Sequence, residues 1–566
     1  MLAGSLAEVV TIGAVVPFIS LMAKPEMAAE FPLLQQLFGA LGWKNLDSLV
    51  LPMSIAFVAI VAIATGIRLL LVYASNKLVF AIGHDIGVKL YRVVLQQPYA
   101  YHIAQNTSDV IANVNKVQIL MNAFLRPAME GVIAIILSVA ILVALMVVDA
   151  TTALSAGVLF AVLYLVIIRL FRARLKKNSR VIAETQSTRI RAVQEGLGGI
   201  RDVILDANHP HYTQEFARFD GQFRNAQAAN AFLGQAPRHI VEAIGVGLIV
   251  ALAYSLSLQP GGLVAALPTL AALALGAQRL LPLIQKIYQA WARYTGNFHV
   301  FEDVLNSLGL WTPVSTESTQ DLTFQRQIEL DLVYFQYSPD EPNVLSGVNL
   351  TIPKGSRVGI VGKTGSGKST LMDILMGLLD PTSGKIEIDG QPIDQESRAA
   401  WQARISHVPQ HIYLSDATIA ENIALGIAPN AIDHERVRRA ARQAQIAEFI
   451  ENHRQGYETR VGERGIQLSG GQRQRIGIAR ALYKDADVLV FDEASSALDT
   501  KTESAVMDAV GQLDPDLTVF IIAHRVQTLR ECDLVIRLEE GRVVSTGSYS
   551  EVVGSEALQA AAGIQN

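Results

Sequence analysis

Apolar residues in the first part of the 566-residue chain fall in long continuous runs, whereas short apolar and charged segments alternate after about residue 320. A helix needs about 20 apolar residues to span the hydrocarbon core of a membrane. Six runs are of this kind, which predicts six spanning helices rather than buried helices of a large soluble protein. The runs lie at about 1–22, 50–73, 128–149, 152–171, 240–258 and 261–282.

Basic residues mark one side of the predicted membrane. Lys77, Lys89, Arg92 and Lys116 follow the second run, and a group of five basic residues follows the fourth. The turns between runs three and four and between runs five and six carry no basic residue. By the positive-inside rule, the basic segments are cytoplasmic.

The segments between these runs add three expectations. Polar stretches at about 74–127 and 172–239 predict helices that continue into the cytoplasm, with turns near 99–109 and 208–215 that contact the following domain. An apolar helical face at about 31–43 predicts an amphipathic segment outside the membrane, lying on the bilayer or packed on the protein. The first run has no basic residue before it, so we interpret it as a true first helix with a short or missing lead-in.

Composition agrees with a protein that lies partly in a bilayer. The chain is 50% hydrophobic and only 17% charged, and its mean hydropathy is positive. The net charge of −5 gives no indication of nucleic-acid binding. The single cysteine, Cys532, excludes an internal disulfide and fits a reducing compartment.

A glycine-rich loop stands between a predicted strand and a predicted helix in "VGIVGKTGSGKSTLMDILMG". In this context the backbone N–H groups converge on phosphate oxygens, and the helix N-terminus adds its positive dipole end. Lys368 is expected to reach the β- and γ-phosphates, and the Ser369 hydroxyl to bind Mg²⁺. The predicted phosphate-binding residues are Gly362, Lys363, Thr364, Gly365, Ser366, Gly367, Lys368, Ser369 and Thr370.

Two carboxylates follow a second predicted strand in "DVLVFDEASSALD". Four apolar residues predict a buried parallel strand, and the carboxyl end of such a strand is where doubly wound sheets hold their ligands. Asp492 is therefore predicted to hold Mg²⁺ through water, and Glu493 to act as the base that polarises the attacking water. A salt-bridged surface pair is the alternative for these two residues.

A second helix start capable of anion binding lies in "QLSGGQRQRIGIARAL". Ser469, Gly470 and Gly471 offer a hydroxyl and N–H groups, yet the phosphate loop upstream already surrounds one triphosphate. Together these motifs resemble the ATPase domain of ABC transporters, over about residues 325–555. The resemblance implies that Ser469 to Gln472 bind the γ-phosphate of ATP held by a partner subunit.

The same resemblance assigns further residues. It implies that Gln410 contacts Mg²⁺ and the coupling surface, that His524 contacts the γ-phosphate, and that Tyr337 stacks on adenine; plain packing is the alternative for the last two. Residues 496–499 resemble the loop that crosses between protomers, and 462–465 a segment that touches the membrane domain. The implied protein is a homodimeric half-transporter with twelve spanning helices, two ATP molecules and alternating access.

The expected organisation is therefore multi-domain. An all-α, six-helix transmembrane domain of the exporter type covers 1–310, a linker covers 311–326, and an α/β phosphate-loop ATPase domain covers 327–566. The expected location is the inner membrane of a bacterium, with the ATPase domain in the cytoplasm.

Basic residues within the predicted spans are the candidates for substrate binding, because intramembrane charges are costly and often functional. Arg68, Arg126, Arg238 and Arg279 fall near the cytoplasmic ends of the predicted helices. They form a basic ring for a phosphate or diphosphate head group, or they reach the interface and pair with Glu130 and Glu242.

Several membrane motifs resemble the PglK-type exporters that flip polyisoprenyl-diphosphate-linked oligosaccharides. They include "EVVTIGAVVPFISLM", "QQPYAYHIAQNTSDVI" and "ALGAQRLLPLIQKI". The alternative is a multidrug, lipid or peptide exporter without head-group specificity. The six apolar runs exclude a soluble ATPase, and the lack of an N-terminal cysteine argues against a peptide exporter with its own protease domain.

Overall fold

A computed structural model describes residues 50–148, 150–257, 262–310, 322–492, 505–506, 508–509, 515–522 and 526–553. The described chain forms two compact units. The first comprises the residues up to 310 except Pro98–Ile103, and the second comprises Pro98–Ile103 together with the described residues from 322 onward. The first apolar run, the segment at about 31–43, Glu493, residues 496–499 and His524 lie outside the described residues.

Helices account for most of the described residues between 50 and 310. They are α1 Val50–Leu95, α2 Tyr99–Ala104, α3 Thr107–Leu120, α4 Arg126–Val148, α5 Ala150–Gly198, α6 Ile200–Leu205, α7 His209–Ser257, α8 Gly262–Gly296 and α9 Phe298–Leu308. At 1.5 Å per residue, a helix such as α1 is about 70 Å long, more than twice the thickness of the hydrocarbon core. Helices α1 and α5 each continue without a break from an apolar run into a polar segment.

The apolar surface of this unit is consistent with a lipid environment. Within the described residues, Phe57–Leu95 and Ser108–Val143 are long and apolar enough to cross a membrane, and they overlap the second and third predicted runs. The fourth, fifth and sixth runs fall within α5, α7 and α8. Many large apolar side chains are exposed on these helices, among them Leu69, Leu70, Leu170 and Val246. A surface of this kind is stable in lipid and unfavourable in water.

A π-helical turn, Met121–Leu125, joins α3 to α4 without breaking the helical course. Pro127 explains its position, because a proline has no N–H to donate and its ring crowds the carbonyl one turn earlier. The N–H of Arg126 reaches back five residues to the carbonyl of Met121, as a wider turn allows. The turn also packs closely on α1, since a Cβ at Gly83 would overlap the side chain of Met121.

Two sheets form the second unit. An antiparallel sheet has the order β2-β1-β4-β5, and a mainly parallel sheet has the order β10-β9-β3-β8-β7-β6. The strands are β1 Gln327–Phe335, β2 Leu345–Pro353, β3 Arg357–Val361, β4 Ser383–Ile388, β5 Gln391–Pro392, β6 Ile405–Val408, β7 Val488–Asp492, β8 Thr518–Ile522, β9 Leu534–Glu539 and β10 Arg542–Gly547. The predicted α/β ATPase fold is present.

Shorter helices surround these sheets. They are α10 Lys368–Leu375, α11 Arg398–Ala403, α12 Ile419–Ile423, α13 His434–Gln443, α14 Ala447–Glu451, α15 Gly470–Lys484 and α16 Tyr549–Val552. Helix α10 lies between the two sheets, because Leu371 and Ile374 share a core with the inner residues of both. Beneath its end, the buried indole of Trp401 donates a hydrogen bond to the carbonyl of Leu375 at 2.7 Å.

Side chains of the parallel sheet alternate between two separate cores, as the period of a strand requires. On β7, Val488 and Val490 face the core that contains α10, whereas Leu489 and Phe491 face the core that contains α15. Neighbouring β8 divides its side chains in the same way. Helices α10 and α15 therefore cover opposite faces of one sheet.

The chain enters the second unit a few residues before β1. Leu322 and Phe324 are buried in the core of this unit, although the sequence assigns both to the linker at 311–326. The carboxylate of Asp389 then accepts hydrogen bonds from the backbone N–H groups of Gln325, Arg326 and Gln327 at 2.6 to 2.8 Å. Burial acts in the opposite direction, yet these three donors lower the pKa of Asp389.

The single cysteine, Cys532, provides a test of the core that contains α15. Burial raises the pKa of Cys532 to about 12, and the side chain is 8% exposed. Because the thiolate is the reactive form, we expect a thiol reagent at pH 8 to label the folded protein at least about a hundredfold more slowly than the protein in guanidinium chloride. Mass spectrometry of the labelled chain measures both rates. Equal rates would contradict the burial, and Cys532→Ser provides the unlabelled baseline.

Candidate functional site

Two glycines of the phosphate loop, Gly362 and Gly367, lie where neighbouring atoms leave no room for a side chain. A Cβ at Gly362 would lie 2.3 Å from the carbonyl oxygen of Leu538 and 2.6 Å from the hydroxyl of Ser366, so no larger residue fits. Gly367 adopts φ of 98°, a left-handed conformation that favours glycine, at the N-cap of α10. The chain therefore turns sharply from β3 into α10 and leaves the helix N-terminus open to an anion.

Polar groups converge inside this loop. The Nζ of Lys368 donates hydrogen bonds to the carbonyls of Gly362 at 2.8 Å and Lys363 at 3.0 Å, although the side chain is only 8% exposed. The hydroxyl of Ser366 is buried and has no hydrogen-bond partner within the described part of the chain. A buried cation and an unsatisfied hydroxyl beside a helix N-terminus fit a phosphate group.

Tyr337 extends the site beyond the loop. Its hydroxyl lies 3.0 Å from the hydroxyl of Thr370 on α10, and its ring packs edge-on against Phe335 with centroids 4.9 Å apart. The residue is nevertheless 49% exposed, so part of the ring is available to a ligand. This position beside α10 is compatible with the predicted stacking on adenine.

Several residues predicted to act on the attacking water and the metal come after parallel strands in the sequence. Val408 pairs with Phe491, and Asp492 pairs with Ile522, so the carboxyl ends of β6, β7 and β8 are level at one edge of the sheet. Asp492 closes β7, and Gln410 comes two residues after β6. Glu493 and His524 follow β7 and β8 in sequence and lie outside the described residues.

Asp373 is a third carboxyl group near this edge that sequence analysis missed. Burial, and then the charge of Asp492, raise the pKa of Asp373 to about 6. Tyr99, which belongs to the same unit, also has a raised pKa because of burial and then the charges of Asp373 and Tyr337. The available signal was an acidic residue within the otherwise apolar helix of the phosphate loop.

Ser469 opens α15 with a capping box. Its hydroxyl accepts a hydrogen bond from the N–H of Gln472 at 3.2 Å, and the side chain of Gln472 accepts one from the N–H of Ser469 at 2.8 Å. Ser469 and Gly470 are exposed. Because α15 and α10 cover opposite faces of the sheet, Ser469 opens a helix on the face away from the phosphate-loop helix of its own chain.

Two arginines of α15 fix this helix against neighbouring segments. Arg475 donates to the carbonyl of Gln445 at 2.7 Å, and Arg480 donates to the carbonyls of Tyr413 and Asn422, both at 2.9 Å. Burial lowers the pKa of Arg480. Arg480 thereby ties α15 to the segment that follows Gln410.

The first unit contains a basic cavity with a volume of about 720 Å³ between α1, α4 and α8. Arg68, Arg126 and Lys286 line it, together with the carboxylate of Glu130. The Nε of Arg126 lies 3.2 Å from Glu130, so the pairing considered as an alternative is present inside the cavity. Lys286 was not predicted, although it lies four residues after Pro282, another lining residue, on the same face of α8.

The other two predicted arginines are placed differently. Arg238 does not line this cavity; its Nε lies 2.8 Å from Glu242, and its side chain is 60% exposed. Arg279 belongs to α8, and its side chain lies outside the described residues. The structure therefore brings together Arg68 and Arg126 of the predicted ring, with Lys286 in addition.

Comparison with known proteins identifies the family. The ABC transporter transmembrane region family matches residues 18–254, and the ABC transporter family matches residues 345–496. The chain is similar to an ATP-dependent lipid A-core flippase of Cupriavidus metallidurans, with 30% identity over 511 residues that cover 87% of this chain and 84% of the relative. This chain belongs to the ABC transporters.

Other similar proteins agree with this ABC transporter assignment. A lipid A-core flippase of Alkalilimnicola ehrlichii is 32% identical over 69% of this chain and 66% of its own length. A Staphylococcus aureus protein whose name assigns it to multidrug export is 31% identical over 86% of this chain and 83% of its own. A bacterial Atm1-family ABC exporter with ATP bound shares the fold, with a TM-score of 0.78, 24% identity, and coverage of 97% of this chain and 96% of that chain.

The transporter is thus an ATP-driven exporter of the half-transporter type, in which a membrane region and an ATPase domain are fused. ATP hydrolysis is coupled to transport. The residues from Gly362 to Thr370 lie within the part of the chain that the ABC transporter family matches.

Tyr337 offers a test of the nucleotide site. Tyr337→Ala removes the ring, and loss of base stacking, worth about 1–3 kcal/mol, is expected to weaken ATP binding by roughly five- to a hundredfold. Tyr337→Phe keeps the ring and loses only the hydrogen bond to Thr370, so its affinity is expected to stay within about threefold of the wild type. Titration with a fluorescent ATP analogue measures the affinity of both variants. Equal losses of affinity in the two variants would refute the stacking role of Tyr337.

Proposed function

We propose that this exporter flips a polyisoprenyl-diphosphate-linked oligosaccharide, or a related lipid-linked glycan, across the inner membrane of a bacterium. The supporting observation is the basic cavity lined by Arg68, Arg126 and Lys286. With Glu130, these residues leave two net positive formal charges, which balance the two negative charges of a diphosphate diester. The cationic side chains are on helices rich in exposed apolar residues, as an amphipathic substrate requires.

The energetic cost of placing charged side chains within the membrane supports a functional role for the basic cavity. Charges held at membrane depth are unfavourable unless they are paired or hydrated. Glu130 offsets part of the positive charge of the cavity lining, and an anionic head group would balance the remaining net charge. Arginine forms two parallel hydrogen bonds to phosphate oxygens, which makes Arg68 and Arg126 suitable for recognition of a diphosphate.

We also infer that the working unit is a homodimer with two composite ATP sites. Each chain contributes Lys368 and its loop to one site and the helix start at Ser469 to the other. The separation of α10 and α15 on opposite faces of the sheet supports this arrangement, because a single chain does not bring both to one triphosphate. The exposed hydroxyl and glycine N–H groups at Ser469 are then covered by the partner's ATP.

The metal and the catalytic groups are proposed on chain position and chemistry. Ser369, Gln410 and Asp492 offer the oxygen ligands that Mg²⁺ prefers. When bound, Mg²⁺ neutralises charge on the β- and γ-phosphates. Glu493 would polarise the attacking water, and His524 would contact the γ-phosphate.

Transport follows from differential ATP affinity. ATP binds the closed dimer more tightly than the open one, so binding shifts the membrane helices toward the outward-facing state. Hydrolysis removes the γ-phosphate and reverses the shift. The segments near 99–109 and 208–215 are proposed to carry this motion, with the ATPase domain on the cytoplasmic side.

A multidrug or lipid exporter without head-group specificity is the second candidate. The similarity to a Staphylococcus aureus protein named for multidrug export supports it. This candidate predicts stimulation of ATP hydrolysis by varied hydrophobic compounds and little effect of changes to the cavity cations.

The head-group site can be tested by ATPase assays in lipid vesicles. We expect a polyisoprenyl-diphosphate-linked sugar to stimulate hydrolysis by the wild type. Arg126→Gln removes charge-assisted hydrogen bonds worth about 1.5–3 kcal/mol, so half-maximal stimulation should require roughly 10- to 150-fold more lipid. Arg238→Gln is the matched control, because Arg238 is also an arginine paired with a glutamate one turn later but lies outside the cavity.

The outcomes separate the two candidates. Stimulation that Arg126→Gln weakens and Arg238→Gln preserves supports the cavity. Equal losses in both variants would favour the wider predicted ring, whereas no stimulation of the wild type would eliminate the lipid-linked glycan.

The assignment of the catalytic base has its own test. Hydrolysis that persists in Glu493→Gln would contradict the assignment of the base.

Composite sites can be tested by mixing two defective chains that carry different affinity tags. Lys368→Met damages the phosphate loop, and Ser469→Arg damages the helix start, so each homodimer has two defective sites. A mixed dimer purified through both tags should regain one intact site, formed by the loop of one chain and Ser469 of the other. ATP binding and hydrolysis by that dimer are measured against the two homodimers, and failure to exceed them would show that each chain completes its own site.

A further inference from the structure

Half of the residues that line a second cavity of the membrane unit carry side-chain amides. It has a volume of about 400 Å³ and lies among α3, the π turn, α7 and α8. Gln118, Asn122, Gln227, Gln235 and Gln289 line it, and two further amides, those of Asn230 and Asn297, complete the set. None of these residues was identified as functional by the sequence or by the proposed head-group site.

Five of the amides are available to a ligand. Within the described part of the chain, the side chains of Gln118, Asn122, Gln227, Gln235 and Gln289 have no hydrogen-bond partner. Each carboxamide offers both a donor and an acceptor. The remaining lining is small or aliphatic, apart from one cation, Arg293. Such a surface is nearly neutral and rich in paired donors and acceptors.

The wall of the cavity is fixed by hydrogen bonds among α5, α7 and α8. Asn230 accepts a hydrogen bond from Asn178 at 2.8 Å and donates to the carbonyl of Gly296 at 3.0 Å. The buried Gln285 donates to the carbonyl of Gly234 at 3.0 Å. These contacts hold the helices, so the free amides project from a preorganised surface, which reduces the entropic cost of binding.

The amide cavity and the basic cavity follow each other along the same helices. On α8, Pro282 and Lys286 line the basic cavity, and Gln289 and Arg293 line the amide cavity. On α8 the lining of the basic cavity runs from Gln278 to Lys286 and that of the amide cavity from Gln289 to Arg293, so their midpoints are about nine residues apart, or roughly 14 Å at 1.5 Å per residue. The segment that runs from α3 through the π turn to α4 also contributes to both cavities. Asn122 of the π turn lines the amide cavity, and Arg126, which follows the turn, lines the basic cavity. π turns are frequent at functional sites.

We propose that the amide cavity binds the sugar portion of the lipid-linked substrate while the basic cavity binds its diphosphate. Hydroxyl groups of sugars both donate and accept hydrogen bonds, which matches carboxamides better than charged or apolar side chains. The inference rests on the proposed function, and the order of the two cavities matches a substrate in which sugars follow a diphosphate.

The test compares two lipids that differ only in their sugars. Vesicles contain either a bare polyisoprenyl diphosphate or the same lipid carrying an oligosaccharide, and the lipid concentration for half-maximal stimulation of ATP hydrolysis is measured for each. We expect the wild type to need about tenfold less of the glycosylated lipid, because its sugars add two or three hydrogen bonds to the cavity. In Gln227→Leu/Gln289→Leu the two concentrations should become equal.

Two further variants keep the result interpretable. Ala231→Phe fills the cavity from an exposed position without removing an amide, and it should also abolish the preference for the glycosylated lipid. Gln222→Leu changes an exposed amide on the same helix outside the cavity and should retain the tenfold preference. A preference that survives both the double variant and Ala231→Phe would overturn the proposal.

The remaining outcomes separate this inference from the proposed function. Equal stimulation of the wild type by both lipids would leave the flippase intact and eliminate sugar recognition. Stimulation by neither lipid would eliminate both the proposed flippase function and the recognition of sugars. Stimulation by the free oligosaccharide without a lipid would assign the cavity to a soluble sugar and overturn the lipid-linked reading.

Discussion

The alternation of side chains along the parallel sheet is the constraint on which this ATPase depends. Each strand must bury both of its faces, so one face receives α10 and the other receives α15. The two helix starts that can bind phosphate are thereby kept apart within one chain. Completion of an ATP site from both then needs a second subunit, which is the physical basis of the proposed dimer and of its response to ATP.

The ATP-binding unit is tightly packed around the phosphate loop and exposed at the second helix start. Gly362 and Gly367 permit approaches that no larger residue allows, and α10 is fixed between two sheets. By contrast, Ser469 stands on an exposed helix start held by its own capping box and by the contacts of Arg475 and Arg480. This combination suits a site whose second half arrives with a partner.

The membrane unit solves a different problem, since it must hold polar groups among apolar helices. Glu130 offsets part of the positive charge of the basic cavity, and the amide cavity avoids net charge almost entirely. The π turn Met121–Leu125, just before Pro127, joins α3, which lines the amide cavity, to α4, which lines the basic cavity. A single local irregularity thus coincides with the boundary between two chemically distinct surfaces.

The sequence alone determined the two-part organisation, the phosphate loop and the helix start at Ser469. These features depend on local rules: apolar run length, glycine spacing and capping residues act over a few turns of chain. The same rules predicted the long polar extensions of α1 and α5. They did not reveal Asp373, because its raised pKa depends on burial beside Asp492, more than a hundred residues away in the chain.

Only the tertiary structure decided which polar residues share a cavity. Arg126 and Arg238 look alike in sequence, since each precedes a glutamate by four residues, yet only Arg126 joins Arg68 and Lys286. The amide cavity likewise draws its residues from α3, α7 and α8, whose facing sides are set by helix packing. Helical periodicity fixes the face on which a residue lies, whereas the neighbour of that face is fixed only when the helices pack together.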